Sequence, residues 1–342
     1  MEELNLDMIK DAWDYLKTIT HETPLTTSTT TNERVGKHVF FKMENTQKTG
    51  SFKLRGASYK IHKLTPEQLE KGVLSSSAGN HAQGVAMAAS SAGTKAKIFM
   101  PETTAQAKVD AATGYGAEVI LTGETYSDAG DAADEYLKTH DITYVHPYDD
   151  YYIMAGQGTI ALEMLEQEPD LDMIVAPLGG GGLLSGIAVA AKSVKPDIKV
   201  IGVEAANFAS MHEAIKTGEL KRLPTNDSIA EGIAVREPGQ KTYKVIKEYV
   251  DEIVTVSEEE IADAIVWMLE RNKTLVEGAG ATPLAAIFSH PEILEGVENI
   301  GLVVSGGNID LSQMPRIQDV ARGLKKAVKV TRHEDKKENK SN

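Results

Sequence analysis

Short apolar, β-branched runs alternate along this chain with stretches patterned for helix. AKIFMP follows the segment from His81 to Ala92, AEVIL follows AKVDAATGYG, and DITYVHP follows SDAGDAADEYLKTH. A second series runs DMIVAP, a helical pattern from about Leu183, IKVIGVE and, much later, NIGLVVS. This βαβα rhythm points to an α/β fold with a mostly parallel sheet covered by helices, whose strands are buried on both faces and therefore continuously apolar. Two helix starts carry recognisable caps: Thr65-Pro66-Glu67-Gln68 and Ser257-Glu258-Glu259-Glu260, each with a hydroxyl followed three residues later by Gln or Glu. Beyond the second, Ile261, Ala264, Ile265, Met268 and Leu269 keep one apolar stripe and read as core.

The length of 342 residues suits two domains of about 100 to 200 residues each, or one large α/β domain. With 36 basic against 50 acidic residues the net charge is −14, which opposes approach to nucleic acid or anionic lipid. The absence of cysteine removes disulfides, thiolate metal sites and cysteine nucleophiles. No apolar run reaches the roughly 18 residues that span a membrane, and the acidic start MEELNLDMIK does not read as an export signal. A cytoplasmic protein is expected, with a charge-rich, disordered tail over 326–342.

Three loops rich in glycine or small residues follow strand-like or pre-helical segments: SSSAGNHAQG from Ser75, LGGGGLLSG from Leu178 and VSGGNID from Val304. Such loops can turn several backbone N–H groups toward one point at a helix N-terminus, which makes an anion cradle. The tetraglycine Gly179, Gly180, Gly181 and Gly182 is the strongest case, since four glycines cost entropy and pack no side chain unless something approaches the backbone closely. The dinucleotide pattern G-x-G-x-x-G fails, because Leu184 or Ser185 stands at its last position. Accepting Ser185, with Glu204 at the place of a ribose-binding acid, keeps a nicotinamide oxidoreductase open. A lysine behind an aromatic in TGSFKLRGA, an Asn-His pair in a small-residue loop and a serine before Gly-Gly-Asn add further polar groups. Together with the cradle they meet the needs of pyridoxal phosphate for an amine, a phosphate site and partners for its ring oxygen and nitrogen.

With those motifs in order, the chain resembles the fold-type II pyridoxal-phosphate enzymes, which are tryptophan synthase β-like. Within them it is most similar to the serine/threonine dehydratases, and among these to the short catabolic threonine dehydratases. The resemblance runs from Thr23-Pro24-Leu25 through KMENTQKTGSFKLRGA, SAGNHAQGVA, MPETTAQAK, GYGAEV, HPYDD, AGQGT, GGGGLLSG and VEGAGA to SGGN. It implies a cofactor, pyridoxal 5'-phosphate, bonded through its aldehyde to Lys53, with Phe52 against its ring and Asn80 on its phenolic oxygen. Gly179 to Gly182 with Leu183 would hold the phosphate, Ser305 would face the ring nitrogen, and Glu277 would stand near the ring and the substrate amine. Ser77, Ala78, Gly79, Asn80 and His81 would form the substrate-carboxylate loop. Lys53, with Ser77, would be catalytic.

The resemblance further implies dehydration and deamination of threonine to 2-oxobutanoate, and of serine to pyruvate, in amino-acid catabolism or isoleucine biosynthesis. A hydroxyaspartate or other β-hydroxyamino-acid dehydratase is a close alternative, as is a serine racemase, whose second acid/base serine is replaced here by Ala78. A binding protein without the reaction stands outside this chemistry beside the oxidoreductase. Cation-binding relatives use a glutamate corresponding to Glu204 together with a carboxylate where this chain has Ser210. A monovalent or divalent cation is therefore carried as a weaker expectation. Partners implied are an amino-acid substrate, a second or further copies of the chain as homodimer or homotetramer, and a nucleotide effector. The expected organisation is a large domain of 1–64 and 149–325 and a small one of 65–148, with the cofactor in the cleft. Ser51 is expected to cap the helix that begins at Lys53.

Overall fold

Apolar runs become strands where the sequence places them, and four strands that no long apolar run marks complete the sheets. The computed structural model of the chain describes residues 3–325, so the tail 326–342 lies outside the described residues. The strands are β1 (Leu25–Thr27), β2 (His38–Lys42), β3 (Val73–Ser76), β4 (Ala96–Met100), β5 (Glu118–Leu121), β6 (Thr143–Tyr144), β7 (Met173–Pro177), β8 (Lys199–Ala205), β9 (Glu252–Val256) and β10 (Asn299–Val303). They form a six-stranded sheet in the order β1-β2-β10-β7-β8-β9 and a four-stranded sheet in the order β5-β4-β3-β6. Among the described residues, β1 with β2 is the one antiparallel pair. All five residues of β7 are buried, as a parallel strand covered on both faces requires. No helix among the described residues is long and apolar enough to cross a membrane.

Both sequence-read capping boxes are present, at Thr65 with Gln68 and at Ser257 with Glu260. The stripe after Ser257 departs from expectation at its end. Residues Met268–Asn272 form a π-turn, and a turn wider than the 3.6-residue helix shifts later side chains around the axis. Met268 stays buried, whereas Leu269 is 39% exposed and does not join the core.

The Lys53–His62 helix packs between the Asn80–Ser91 and Tyr151–Gln167 helices. Ser51 does not cap it. Phe52 takes the cap position without a side-chain bond, the Ser51 hydroxyl has no hydrogen-bond partner, and the Gln157 carboxamide oxygen instead accepts from Gly56 N at 3.1 Å. The turn before the helix is fixed by the end of β10: Phe52 N donates to Ser305 O at 3.1 Å, and Ser51 bridges Gly306.

Arg55, wholly buried, anchors the same helix. Its Nε and Nη2 donate to Glu44 at 2.9 and 2.8 Å, and its Nη1 and Nη2 donate to Glu163 at 2.6 and 2.9 Å. A fifth bond runs from Nη1 to the Thr159 hydroxyl at 3.2 Å, so every guanidinium donor is used. Lys42 completes the group, donating to Glu163 at 2.8 Å, Thr23 O at 2.6 Å and Gln167 at 3.0 Å. Two cations thus face two carboxylates. Arg55→Ala leaves both carboxylates buried without that partner, and a loss of about 3–5 kcal/mol is expected in urea denaturation; a loss below about 1 kcal/mol would show that water or rearrangement replaces the guanidinium.

Candidate active site

Between the two sheets lies a cavity of 630 Å³, within the usual range of small-molecule sites, about 300–1,000 Å³. The sequence-chosen Phe52, Lys53, Ser77, Ala78, Gly79, Asn80, His81, Gly179 to Gly182, Leu183, Glu277 and Ser305 all line it. Glu204 does not. It is wholly buried elsewhere, and its carboxylate accepts from Met211 N and His212 N, both at 2.8 Å, at the start of the Ser210–Thr217 helix. Burial pushes that carboxyl up to about 8 against those two bonds. Among the described residues no group of three or more His, Cys, Asp and Glu could hold a metal ion.

Lys53 opens its helix and reaches into the cavity, where its amine donates to Pro147 O at 2.8 Å and stands 5.3 Å from the centre of the Phe52 ring. Burial pushes the amine down to about 8, with the Glu277 carboxylate pulling the other way. An amine in that range is neutral in an appreciable fraction near neutral pH, and so nucleophilic.

Two helix N-termini open on the cavity. The Asn80–Ser91 helix begins directly after Ser77-Ala78-Gly79, and the Gly182–Val194 helix after Gly179-Gly180-Gly181. Free N–H groups in the first turn and the positive end of the helix dipole suit each to an anion. From the sequence, the space left by the missing glycine side chains is expected to be taken by a ligand. In the structure the protein's own atoms take that space. A Cβ on Gly180 would lie 2.3 Å from the Tyr148 ring, and Gly181 adopts φ +96, a left-handed conformation in which its Cβ would meet Thr242 at 2.8 Å. The loop is thus pressed against Tyr148, which itself lines the cavity, and against Thr242, which does not.

The Asn80 carboxamide donates to Glu277 at 2.7 Å and accepts from Asn308 Nδ2 at 2.8 Å, and Asn308 Nδ2 also donates to Thr49 O at 2.8 Å. This fixes which end of the amide faces Glu277. Burial raises the Glu277 pKa, opposed by that bond. His81 turns its ring from the expected role: Nε2 lies 2.9 Å from Val145 O, and burial, aided by the charge of Lys53, pushes the imidazole down to about 3. A neutral ring brings no positive charge to a carboxylate, so what His81 offers an anion is its backbone N–H at the helix start. Pro147, Tyr148 and Asn308 also line the cavity, although no role was read for them; the signal was their place inside the HPYDD and SGGN motifs.

Comparison with known proteins identifies this constellation. The family model described as pyridoxal-phosphate dependent enzyme matches residues 16–306. The chain belongs to that family. It is 44% identical over 324 residues to an L-threonine ammonia-lyase of Thermotoga maritima, covering 95% of this chain and 80% of that one. It is 46% identical over 331 residues to a catabolic L-threonine dehydratase of Staphylococcus aureus, covering 94% and 96%. The structure of maize serine racemase superimposes with a TM-score of 0.88 at 35% identity, covering 95% of this chain and 99% of the racemase. The fold-type II architecture expected from the motifs is therefore the architecture of this family member.

The residues present fit pyridoxal phosphate. A half-buried, low-pKa amine stands in the cavity for the aldehyde, a glycine loop at a helix N-terminus suits the phosphate, and the Asn80 carboxamide, which lines the cavity, suits a ring oxygen. In the apo-protein, the rate at which the Lys53 amine forms an imine with added pyridoxal phosphate should follow the neutral amine. It is expected to rise about tenfold per pH unit below pH 8 and to level off above about pH 9, followed by stopped-flow absorbance. A rate still climbing at pH 10 would show an ordinary, solvated lysine.

Proposed function

We propose that this chain is a threonine ammonia-lyase that converts L-threonine to 2-oxobutanoate and ammonia, and L-serine to pyruvate and ammonia. The observation that carries the reading is the Lys53 amine, with its pKa lowered to about 8, in a cavity onto which two helix N-termini open. That arrangement suits a cofactor with a phosphate and a substrate with an α-carboxylate. The relatives named threonine ammonia-lyase and threonine dehydratase, alike over more than nine-tenths of this chain, support the choice of substrate.

Pyridoxal phosphate, when bound, supplies an aldehyde for the substrate amine and a conjugated ring that draws electrons from the α-carbon. The chain's own residues do the rest. The first-turn N–H groups after Gly79, with the Ser77 hydroxyl, hold the substrate carboxylate, and the glycine loop with Leu183 holds the phosphate. Asn80, oriented by Asn308 and Glu277, presents its carboxamide to the ring oxygen. Ser305, which lines the cavity, would offer the ring nitrogen a hydroxyl; a hydroxyl would not keep that nitrogen protonated as a carboxylate would, which would favour elimination. The neutral Lys53 amine takes the α-proton, and the β-hydroxyl leaves as water by taking up a proton as its C–O bond breaks, so that the proton gained by Lys53 balances the one spent and the net loss is one water. The enamine of the product, once released, is hydrolysed to the 2-oxoacid and ammonia.

Serine racemase is the second reading, since the maize racemase shares the architecture. Ala78, buried in the carboxylate loop, brings no acid or base of its own, so after Lys53 takes the α-proton it offers no donor to return one from the opposite face, as inversion requires. Lys53→Ala is expected to abolish 2-oxobutanoate release from threonine while the circular dichroism spectrum stays unchanged, and borohydride is expected to fix the cofactor's mass on Lys53 in the parent protein. A Lys53→Ala protein that keeps its turnover, or D-serine formed as fast as pyruvate, would overturn the assignment.

A further inference from the structure

Asp149 lies outside the cavity, yet it is bonded to what supports the cavity's glycine wall. It stands in the turn His146–Asp150, which joins β6 of the smaller sheet to the Tyr151–Gln167 helix. One carboxylate oxygen accepts from Lys241 N at 2.8 Å and from Thr242 N at 3.1 Å. These are first-turn donors of the Gln240–Tyr249 helix, whose own cap residue is Gly239 and supplies no side chain. Asp149 is therefore the cap of a helix distant in sequence. The hydroxyl of Thr242, in that same turn, has one proton, which it donates to Gly180 O at 2.7 Å, with Gly239 O at 3.1 Å as the longer alternative acceptor. The neighbouring Tyr148 covers Gly180 with its ring and meets Gly182 with its backbone, and its hydroxyl donates to Glu237 O at 3.2 Å.

The planarity of the peptide bond gives this chain of contacts a consequence at the glycine loop. In a trans peptide the C=O of one residue and the N–H of the next point in opposite directions. With the Gly180 carbonyl held on Thr242, the Gly181 N–H must point away from the Gln240–Tyr249 helix. Thr242 does not line the cavity and Gly181 does, so the N–H faces the cavity side. A freely turning Gly180–Gly181 peptide would present its carbonyl there for part of the time, and a carbonyl repels an anion.

We propose that Asp149 is a positioning residue for the anion cradle: by capping the Gln240–Tyr249 helix it holds Thr242 on Gly180 and so aims the Gly181 N–H into the cavity. The inference rests on reading the glycine loop as the site of the cofactor phosphate, and it assigns Asp149 a part in phosphate grip, not in the chemistry at Lys53.

The test compares two ligands that differ only in the phosphate. Apo-protein is titrated with pyridoxal 5'-phosphate and with pyridoxal, imine formation being read by absorbance. Asp149→Ala is expected to weaken binding of the phosphorylated form about tenfold, the scale of one lost hydrogen bond to a held group, while pyridoxal binding changes by less than about twofold. Asp149→Asn, which keeps an oxygen acceptor, should recover most of the difference, and Thr242→Val should behave like Asp149→Ala. Equal weakening of both ligands would mark a merely structural role and overturn the proposal, as would no weakening of either. If Asp149→Ala does not fold, Thr242→Val and Asp149→Asn decide between the same outcomes. A parent protein that binds both ligands alike would instead overturn the phosphate reading itself, and this inference with it.

Discussion

A helix that carries the cavity amine at its first residue needs anchors from outside itself, because the first N–H groups of a helix lack the partners that later ones find within it. Arg55 supplies the missing constraint. Successive helical residues turn by about 100°, so two positions apart lie on nearly opposite faces. The face that anchors Arg55 between Glu44 and Glu163 is therefore turned away from the face that presents Lys53 to the cavity. Removing four charged groups from water is costly, and only full pairing offsets that cost. The bidentate contacts to both carboxylates, with Lys42 on the second, meet that condition. They also join β2, the Lys53–His62 helix and the Tyr151–Gln167 helix at one point, so the amine's position is tied to the larger sheet.

The polar neighbours of the cavity are ordered by similar indirect means. Asn80 could offer either end of its amide to a ligand, and a neutral carboxamide has little preference of its own. Asn308 settles the choice by donating to its oxygen, which leaves the nitrogen toward Glu277. The Asn308 amide is itself held by Thr49 O, in the turn just before Lys53. Segments from the start of the Lys53 helix, the Asn80 loop and the end of the SGGN turn are thus locked by two short side chains. Lys53 meanwhile is steered by a backbone carbonyl, that of Pro147, whose residue has no N–H to compete for partners.

How much of this could be read from sequence follows from the range of the forces involved. Local patterns act within a few residues, and they give the buried parallel strands, the Thr65 and Ser257 capping boxes and the helix starts at the glycine loops. The strands β2 and β3 are harder: HVFFK ends in a lysine that is wholly buried only because Glu163 lies across from it, and VLSS has too few apolar residues to stand out. The candidate site residues are legible as a set because several motifs resemble one family in order. Their geometry is not. That Ser51 leaves the Lys53 helix uncapped, that the His81 ring turns to Val145 and that Glu204 is spent on the backbone of another helix all depend on partners distant in sequence. The π-turn that exposes Leu269 breaks the very periodicity on which the reading of a stripe relies.

The same features that suit the cavity to anions also act on Lys53. The positive end of a helix dipole disfavours a nearby positive charge, in the same direction as burial. The two helix N-termini that open on the cavity therefore act on an amine there in the same sense as burial, which lowers the Lys53 pKa to about 8. An anion seated at either end would cancel part of that field and raise the proton affinity of the amine. Lys53 would thus be readiest to bond an aldehyde before the anionic sites are filled, and the stronger base after they are filled. Glu277 marks the sign of the effect within the protein itself: its negative charge raises the proton affinity of Lys53, while burial raises its own pKa and the Asn80 hydrogen bond opposes that shift. The two groups are thus linked: burial disfavours charge on each, and the charge of each favours that of the other, so their protonation states are set together.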